Sequence, residues 1–170
     1  MTVYNKNFKH QNREAKIIAL ACLLFGGLFC GFGNSKALPM PLIWQLVGLS
    51  LIVCSVFIAT TYLLREYRVS IATNDDNDDE TDKSLDLIVY ERKGKREPKV
   101  CHIALNTVKS VRIVTKDSFK KRSTSDFIYV YDNRFLWKER IEIVAETGDY
   151  TSSIYLAFDQ SLLYTLNQNN

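Results

Sequence analysis

Histidine and paired cysteine are nearly missing from this chain of 170 residues. There are two histidines, His10 and His102, and four cysteines, Cys22, Cys30, Cys54 and Cys101, none in a CxxC pair. A zinc site needs three or four ligands, and these residues are too few and too scattered to supply them. The cysteines make no disulfide framework. Three fall in the most apolar stretches, where a thiol packs as a small apolar group. Cys101 has no evident partner, which suits a reducing compartment. Also lacking are a Gly-rich phosphate-cradling loop, a nucleophile elbow and a recognisable pair of carboxylates. Strong charge of one sign is lacking too. The net charge is +3, and residues 65–170 hold 17 Lys/Arg against 18 acids. That balance argues against a nucleic-acid partner.

One stretch raises thiol chemistry all the same: residues 99–105, KVCHIAL. Adjacent residues of a strand point to opposite faces. Cys101 shares parity with Ile103 and Leu105 and is expected to face the core. His102 shares parity with Val100 and Ala104 and is expected to face away. A Cys–His dyad needs both groups within hydrogen-bond reach, so the pattern predicts a structural role. No catalytic residue, metal or cofactor is expected.

What the chain has in quantity is uncharged apolar sequence. Residues 17–33 read IIALACLLFGGLFCGFG and residues 42–64 read LIWQLVGLSLIVCSVFIATTYLL. At about 1.5 Å per residue the second run is about 34 Å long, enough for a hydrocarbon core of about 30 Å; the first, about 26 Å, is at the short end. Residues 34–41 hold Pro39 and Pro41 and predict a short external turn. Lys6, Lys9, Arg13 and Lys16 precede the first span against one acid, Glu14, while the turn has Lys36 and the second span is followed by Arg65 and Arg68. The positive-inside rule then predicts a multi-pass protein of the cell membrane, with residues 1–16 a basic cytoplasmic arm and both termini cytoplasmic. A signal peptide cleaved near Ser35-Lys36-Ala37 is the rival, but the second apolar run starts so soon that almost nothing would remain outside. A lipoprotein cysteine at Cys22 would need a longer apolar run before it. Small residues recur at four-residue spacing: Gly27 with Gly31, Gly26 with Cys22 and Cys30, Ser50 with Cys54, and Ser55 with Ala59. Such stripes let helices approach closely in lipid. Gly26, Gly27, Gly31, Ser55 and Ala59 are expected to serve helix packing, within the hairpin or in a homo-oligomer.

From residue 65 onward the pattern has period two. Seven segments alternate: Tyr67–Val69–Ile71, Leu85–Leu87–Val89, Cys101–Ile103–Leu105, Val111–Ile113, Phe127–Tyr129–Tyr131, Ile141–Ile143–Ala145 and Ile154–Leu156–Phe158. Lys93-Gly94-Lys95, Asp132-Asn133 and Thr147-Gly148-Asp149 are turn signals between them. A helix is expected over residues 160–167, capped by Asp159, with Leu162, Leu163 and Leu166 on its apolar side. About seven antiparallel strands and a C-terminal helix make a small barrel or sandwich.

Residues 66–69 (EYRV) leaving the span, 89–96 (VYERKGKR), 100–111 (VCHIALNTVKSV) and Phe158-Asp159-Gln160 entering a Leu-rich helix resemble a pleckstrin-homology-type fold. The likeness is to the bacterial PH-like domains that often follow membrane spans. It covers residues 65–168, and the whole chain resembles small two-span Gram-positive membrane proteins. The resemblance implies a non-enzymatic interaction module. Its final helix is short, and its first inter-strand loop is acidic where lipid-binding eukaryotic members are basic.

That loop, residues 74–82 (NDDNDDETD), has six acids in nine residues but neither the Gly nor the terminal Glu of an EF-hand. It is read as a solvated loop far from the bilayer, since the first strand runs outward from about residue 64. The second strand returns. Its turn, with Lys93, Lys95, Arg96 and Lys99, is expected near the inner leaflet, and one more round trip brings Lys120, Lys121 and Arg122 to the same end. Two roles follow as expectations: a membrane-anchored domain that binds a protein or orients on anionic phospholipid, or a structural subunit of a membrane complex or homo-oligomer.

Overall fold

The computed structural model describes residues 2–8, 12–32, 40–73, 85–116, 118, 125–136 and 138–168. The chain divides into two compact units, Met1–Lys9 with Glu66–Asn170, and His10–Arg65.

The second of these is a helical hairpin. Helix α1 is Arg13–Phe32, and α2 is Pro41–Ile58, continued by a π-helical turn Ala59–Leu63. Both are long and apolar enough to cross a membrane. Most of the expected turn between them, residues 33–39 with Lys36, lies outside the described residues. Asn12 fastens the open end of the hairpin. Its carbonyl receives the Lys16 N–H at 3.0 Å, and its Nδ2 donates to Tyr62 O at 2.7 Å.

The helices meet along small residues, as expected, but not along all of those expected. Gly26 and Gly48 face each other so closely that a Cβ on Gly48 would lie 2.7 Å from both Cys30 N and Gly26 O. Higher on the seam, Ser55 Oγ donates to Ala19 O at 2.7 Å. Ala15 and Ala19 are buried, and Phe29 stacks on Trp44 with centroids 5.4 Å apart. Gly27 and Gly31, expected to serve helix packing within the hairpin or in a homo-oligomer, have nothing within 4 Å of their Cβ positions and so do not form the hairpin seam. The 3.6-residue turn places Gly27 about 100° from Gly26, so only one of two adjacent glycines can face α2. Ala59 opens the π-helical turn, and its carbonyl accepts the Leu64 N–H at 3.1 Å.

The other unit is two four-stranded sheets and a helix. Sheet A has the order β1-β2-β3-β4, and sheet B the order β5-β7-β8-β6. The strands are β1 Thr2–Phe8, β2 Arg65–Thr73, β3 Leu85–Lys93, β4 Lys99–Ala104, β5 Val108–Val114, β6 Phe127–Tyr131, β7 Arg140–Thr147 and β8 Tyr150–Ala157. Each alternating segment of the sequence falls on one of β2 to β8. Their inward residues, Val69, Ile71, Leu87, Val89, Ile141, Ile143, Ile154 and Leu156, are buried in one apolar cluster. Each such side chain contributes about 1.5–3 kcal/mol on burial. Gly94 (φ 64°) and Gly148 (φ 61°) supply the left-handed turn positions after β3 and β7.

Two features depart from the expected series. Residues 1–16, read as a basic arm, contain β1, which pairs antiparallel with β2 from Phe8 opposite Tyr67 to Thr2 opposite Ala72. Only Phe8 of that strand is buried, so its period-two signal is faint. The strands are also not all antiparallel: β6 lies beyond β8 and runs parallel to it. Period-two alternation reports a strand but not its direction.

Helix α3, Gln160–Gln168, puts Leu162 and Leu166 into the same core. Asp159 caps it, accepting the Leu162 N–H at 3.0 Å and the Ser161 hydroxyl. The same carboxylate pairs with Lys6 of β1 and accepts a hydrogen bond from the Tyr4 hydroxyl at 3.3 Å. Burial alone would raise the Asp159 pKa, but the hydrogen bonds from Lys6, Ser161 and Leu162 outweigh it and hold the carboxyl at about 2.

Gly48→Val should wedge the hairpin open and lower the melting temperature of the detergent-solubilised full-length chain, whereas Gly27→Ala should leave it unchanged. Asp159→Ala should cost about 1–2 kcal/mol, as lost helix caps do. Asp159→Asn, which keeps a capping oxygen, should cost less. A carboxylate held below its unfolded pKa of about 3.9 stabilises the fold fully above that value, and the contribution is lost as the pH falls through about 2. Urea titrations between pH 6 and pH 2 should therefore show a shallower acid loss in Asp159→Asn than in the native chain.

Candidate functional site

The Cys101–His102 pair sits on β4, an edge of sheet A. Cys101 lies opposite Val89 and packs against the core; His102 lies opposite Ile88 and bonds through Nε2 to Asp86 Oδ2 at 2.6 Å. Asp86, on the same face as Ile88, is buried. The two side chains thus diverge as parity predicts. Burial pushes the Cys101 thiol up despite a hydrogen bond with Tyr131, the direction opposite to that of an activated thiolate. Among the described residues no group of three or more His, Cys, Asp or Glu is placed to hold a metal. His10 and the acidic run 74–82 lie outside the described residues.

The basic turn is at the end of sheet A where β2 begins. Arg68 near the start of β2 lies 4.5 Å from the Tyr90 ring of β3 and 3.1 Å from Glu97 in the turn after it. Arg92 also reaches Glu97, at 3.5 Å, and Lys93 pairs with Glu91 at 3.1 Å. Lys95, Arg96 and Lys99 are exposed, and none has an ion pair among the described residues. Lys93 is thus partly neutralised, and the tip proper carries three open cations. Lys120, Lys121 and Arg122 lie outside the described residues.

Sheet B holds two charged groupings that alternation alone does not reveal. Arg112, Glu142 and Tyr155 sit side by side on β5, β7 and β8. Glu142 is fully buried, paired with Arg112 and accepting the Tyr155 hydroxyl at 2.6 Å. Burial favours its neutral form, but the Arg112 and Tyr155 bonds prevail and hold the carboxyl below its usual value. The second grouping anchors the connection from β6 to β7. Asp132, with no exposed side chain, bonds Arg134 at 2.8 Å and Arg140 at 2.7 Å. Arg134 also donates to Glu139 O at 2.7 Å. Again burial opposes ionisation and the two guanidiniums outweigh it, keeping Asp132 below the ordinary carboxylate range.

That anchored connection carries the chain from β6, on the rim of sheet B, past β8 to β7. Phe127, Ile128, Tyr129 and Val130 are each 40–48% exposed. Beside β6 a cleft of about 260 Å³ opens between the sheets, bordered by Cys101 and His102 of β4 and by Tyr129 and Tyr131. Tyr131 bridges the gap, donating to Val100 O at 3.1 Å and packing edge-on against Tyr67. The exposure of β6 was hidden in the sequence, because an uncharged run such as FIYVY reads equally as an interior strand.

No protein-family model, curated protein or solved structure matches the chain.

Asp132→Ala should destabilise the domain by about 3–5 kcal/mol, since it leaves two buried guanidiniums without their carboxylate. Urea denaturation of the full-length chain followed by Trp fluorescence measures this, with Glu146→Ala, an exposed pair with Lys109, expected to change stability by less than about 1 kcal/mol.

Proposed function

We propose that the chain is a non-enzymatic membrane protein whose two helices anchor a PH-like interaction domain on the cytoplasmic side, with its basic hairpin tip turned to anionic lipid. The carrying observation is position: Lys95, Arg96 and Lys99 crowd the end of sheet A at which β2 begins, and Leu64 alone separates Arg65, its first residue, from the end of the helical segment at Leu63. That is the end of the sheet at which the chain enters from the second helix. The pairing of β1 with β2 supports the topology, because it requires the chain before α1 and the chain after α2 to share a side of the membrane. The Lys/Arg excess of the N-terminal stretch then favours the cytoplasm. Two four-stranded sheets and a C-terminal helix support the PH-like reading; β1 is an addition to the expected pattern, and β6 departs from it in direction. A structural or accessory subunit is the second reading, favoured by the uncharged rim strand β6.

Each cation held near anionic lipid contributes about 1 kcal/mol, so three open ones amount to roughly a hundredfold in partitioning. The test joins residues 2–9 through a flexible linker to residues 66–170, which keeps β1, and sediments the product with vesicles. Binding should appear with 30% phosphatidylglycerol and not with phosphatidylcholine. It should weaken from 20 to 150 mM salt and vanish when Lys93, Lys95, Arg96 and Lys99 become Gln. Equal binding to both vesicles, or none to either, would refute the lipid-facing role.

A further inference from the structure

Four strands form the rims of the two sheets, and three of them carry charge or an ionisable ring: Lys6 on β1, Lys99 and His102 on β4, and Lys109 and Arg112 on β5. Such residues discourage a second strand from adding to a rim. The fourth, β6, is FIYVY, with no charge and four residues exposed. We infer that β6 pairs antiparallel with β6 of a second copy of this chain, joining two sheets B across a twofold axis at Tyr129. The inference rests on the membrane-anchored reading and names the partner of its domain.

The backbone sets the register. Asp126 N–H donates to Thr151 O of the β8 segment at 2.9 Å. Thr151 thus turns its backbone groups to the β6 side, and Ser153 and Tyr155 do the same; with Ile128 opposite Ser153 and Val130 opposite Tyr155 in the parallel register, these bond Phe127, Tyr129 and Tyr131, and Ile128 and Val130 turn their groups outward. An antiparallel copy centred on Tyr129 then makes hydrogen-bonded pairs of Ile128 with Val130, and non-hydrogen-bonded pairs of Tyr129 with itself and of Phe127 with Tyr131. The sequence is symmetric in character about that point. Aromatic meets aromatic, and Ile128 meets Val130, pairings that stabilise sheets. Charge agrees as well. Asp126, which accepts Thr151 N–H at 2.9 Å and has no ion pair among the described residues, falls opposite the Asp132 cluster of the other copy. That cluster holds two guanidiniums about one carboxylate.

A five-residue strand pair buries less than the roughly 1,200 Å² typical of a free-standing dimer. Anchoring both copies in one bilayer raises their effective concentration and makes a small contact sufficient. The pairing is therefore a property of the embedded chain.

The test uses the full-length protein in phosphatidylcholine–phosphatidylglycerol vesicles, with the four native cysteines changed to Ala. Single variants Tyr129→Cys and, on the exposed part of the opposite rim, Ile113→Cys are oxidised mildly. Residues in a non-hydrogen-bonded antiparallel pair have Cα atoms about 4.5 Å apart, within the range of about 4.4–6.8 Å that a disulfide spans. Tyr129→Cys should give at least tenfold more covalent dimer than Ile113→Cys, and adding Val130→Lys or Ile128→Lys should reduce it at least fivefold. Circular dichroism melts show that each variant is folded. Equal dimer from both positions, or dimer indifferent to both lysines, overturns the pairing. The same vesicles are washed with alkaline carbonate. A chain that stays embedded without the Tyr129 dimer refutes the pairing alone; a chain that is stripped off refutes the anchored reading and the pairing with it.

Discussion

Asp159 is the point at which the ends of the β domain are joined. One carboxylate starts α3, receives Lys6 and takes the Tyr4 hydroxyl. Without it the first strand has backbone pairing to β2 and little else, since most of its side chains are exposed. Its burial is costly in itself, and the cost is offset only because three donors converge on it. The start of the last helix and the side-chain ties of the first strand to it meet at this one carboxylate.

Sheet B is organised by the same rule in a harsher setting. Its two central strands are buried on both faces, so the polar residues that alternation places on the outer face are enclosed. Glu142 and Asp132 are each enclosed with their partners already in place. A buried ion pair is weak as a source of stability but strong as a constraint, because each member is very costly alone. Arg112, Glu142 and Tyr155 thereby tie three strands together, and Asp132 anchors the path from β6 on the rim past β8 to β7.

Much of this was legible in the sequence because alternation is a direct imprint of a half-buried sheet. Val69 with Ile71, Leu87 with Val89, Ile141 with Ile143 and Ile154 with Leu156 declared their strands, and Asp159 before a Leu-rich segment declared α3. The apolar runs declared the helices. What escaped depends on neighbours distant in sequence. Gly26 and Gly27 are chemically identical, and only the rotation of α1 against α2 decides that Gly26 meets Gly48. Asp86 looked like an outward polar residue, yet His102 on the adjacent strand gives it a buried partner. The direction of β6 and its place at the rim are set by a connection whose anchor, Asp132, appeared only as a turn signal.

The pairing of β1 has a consequence in time. Residues 2–8 leave the ribosome before their partners around Tyr67 and Ala72, which follow two apolar helices later. At about 5–20 residues per second, the strand spends on the order of seconds in water with nothing to pair with. A strand rich in Val and Ile would be an aggregation hazard over that interval. TVYNKNF, with Phe8 its one buried residue, is soluble while it waits. The polarity that hides this strand from pattern reading is what permits its late addition.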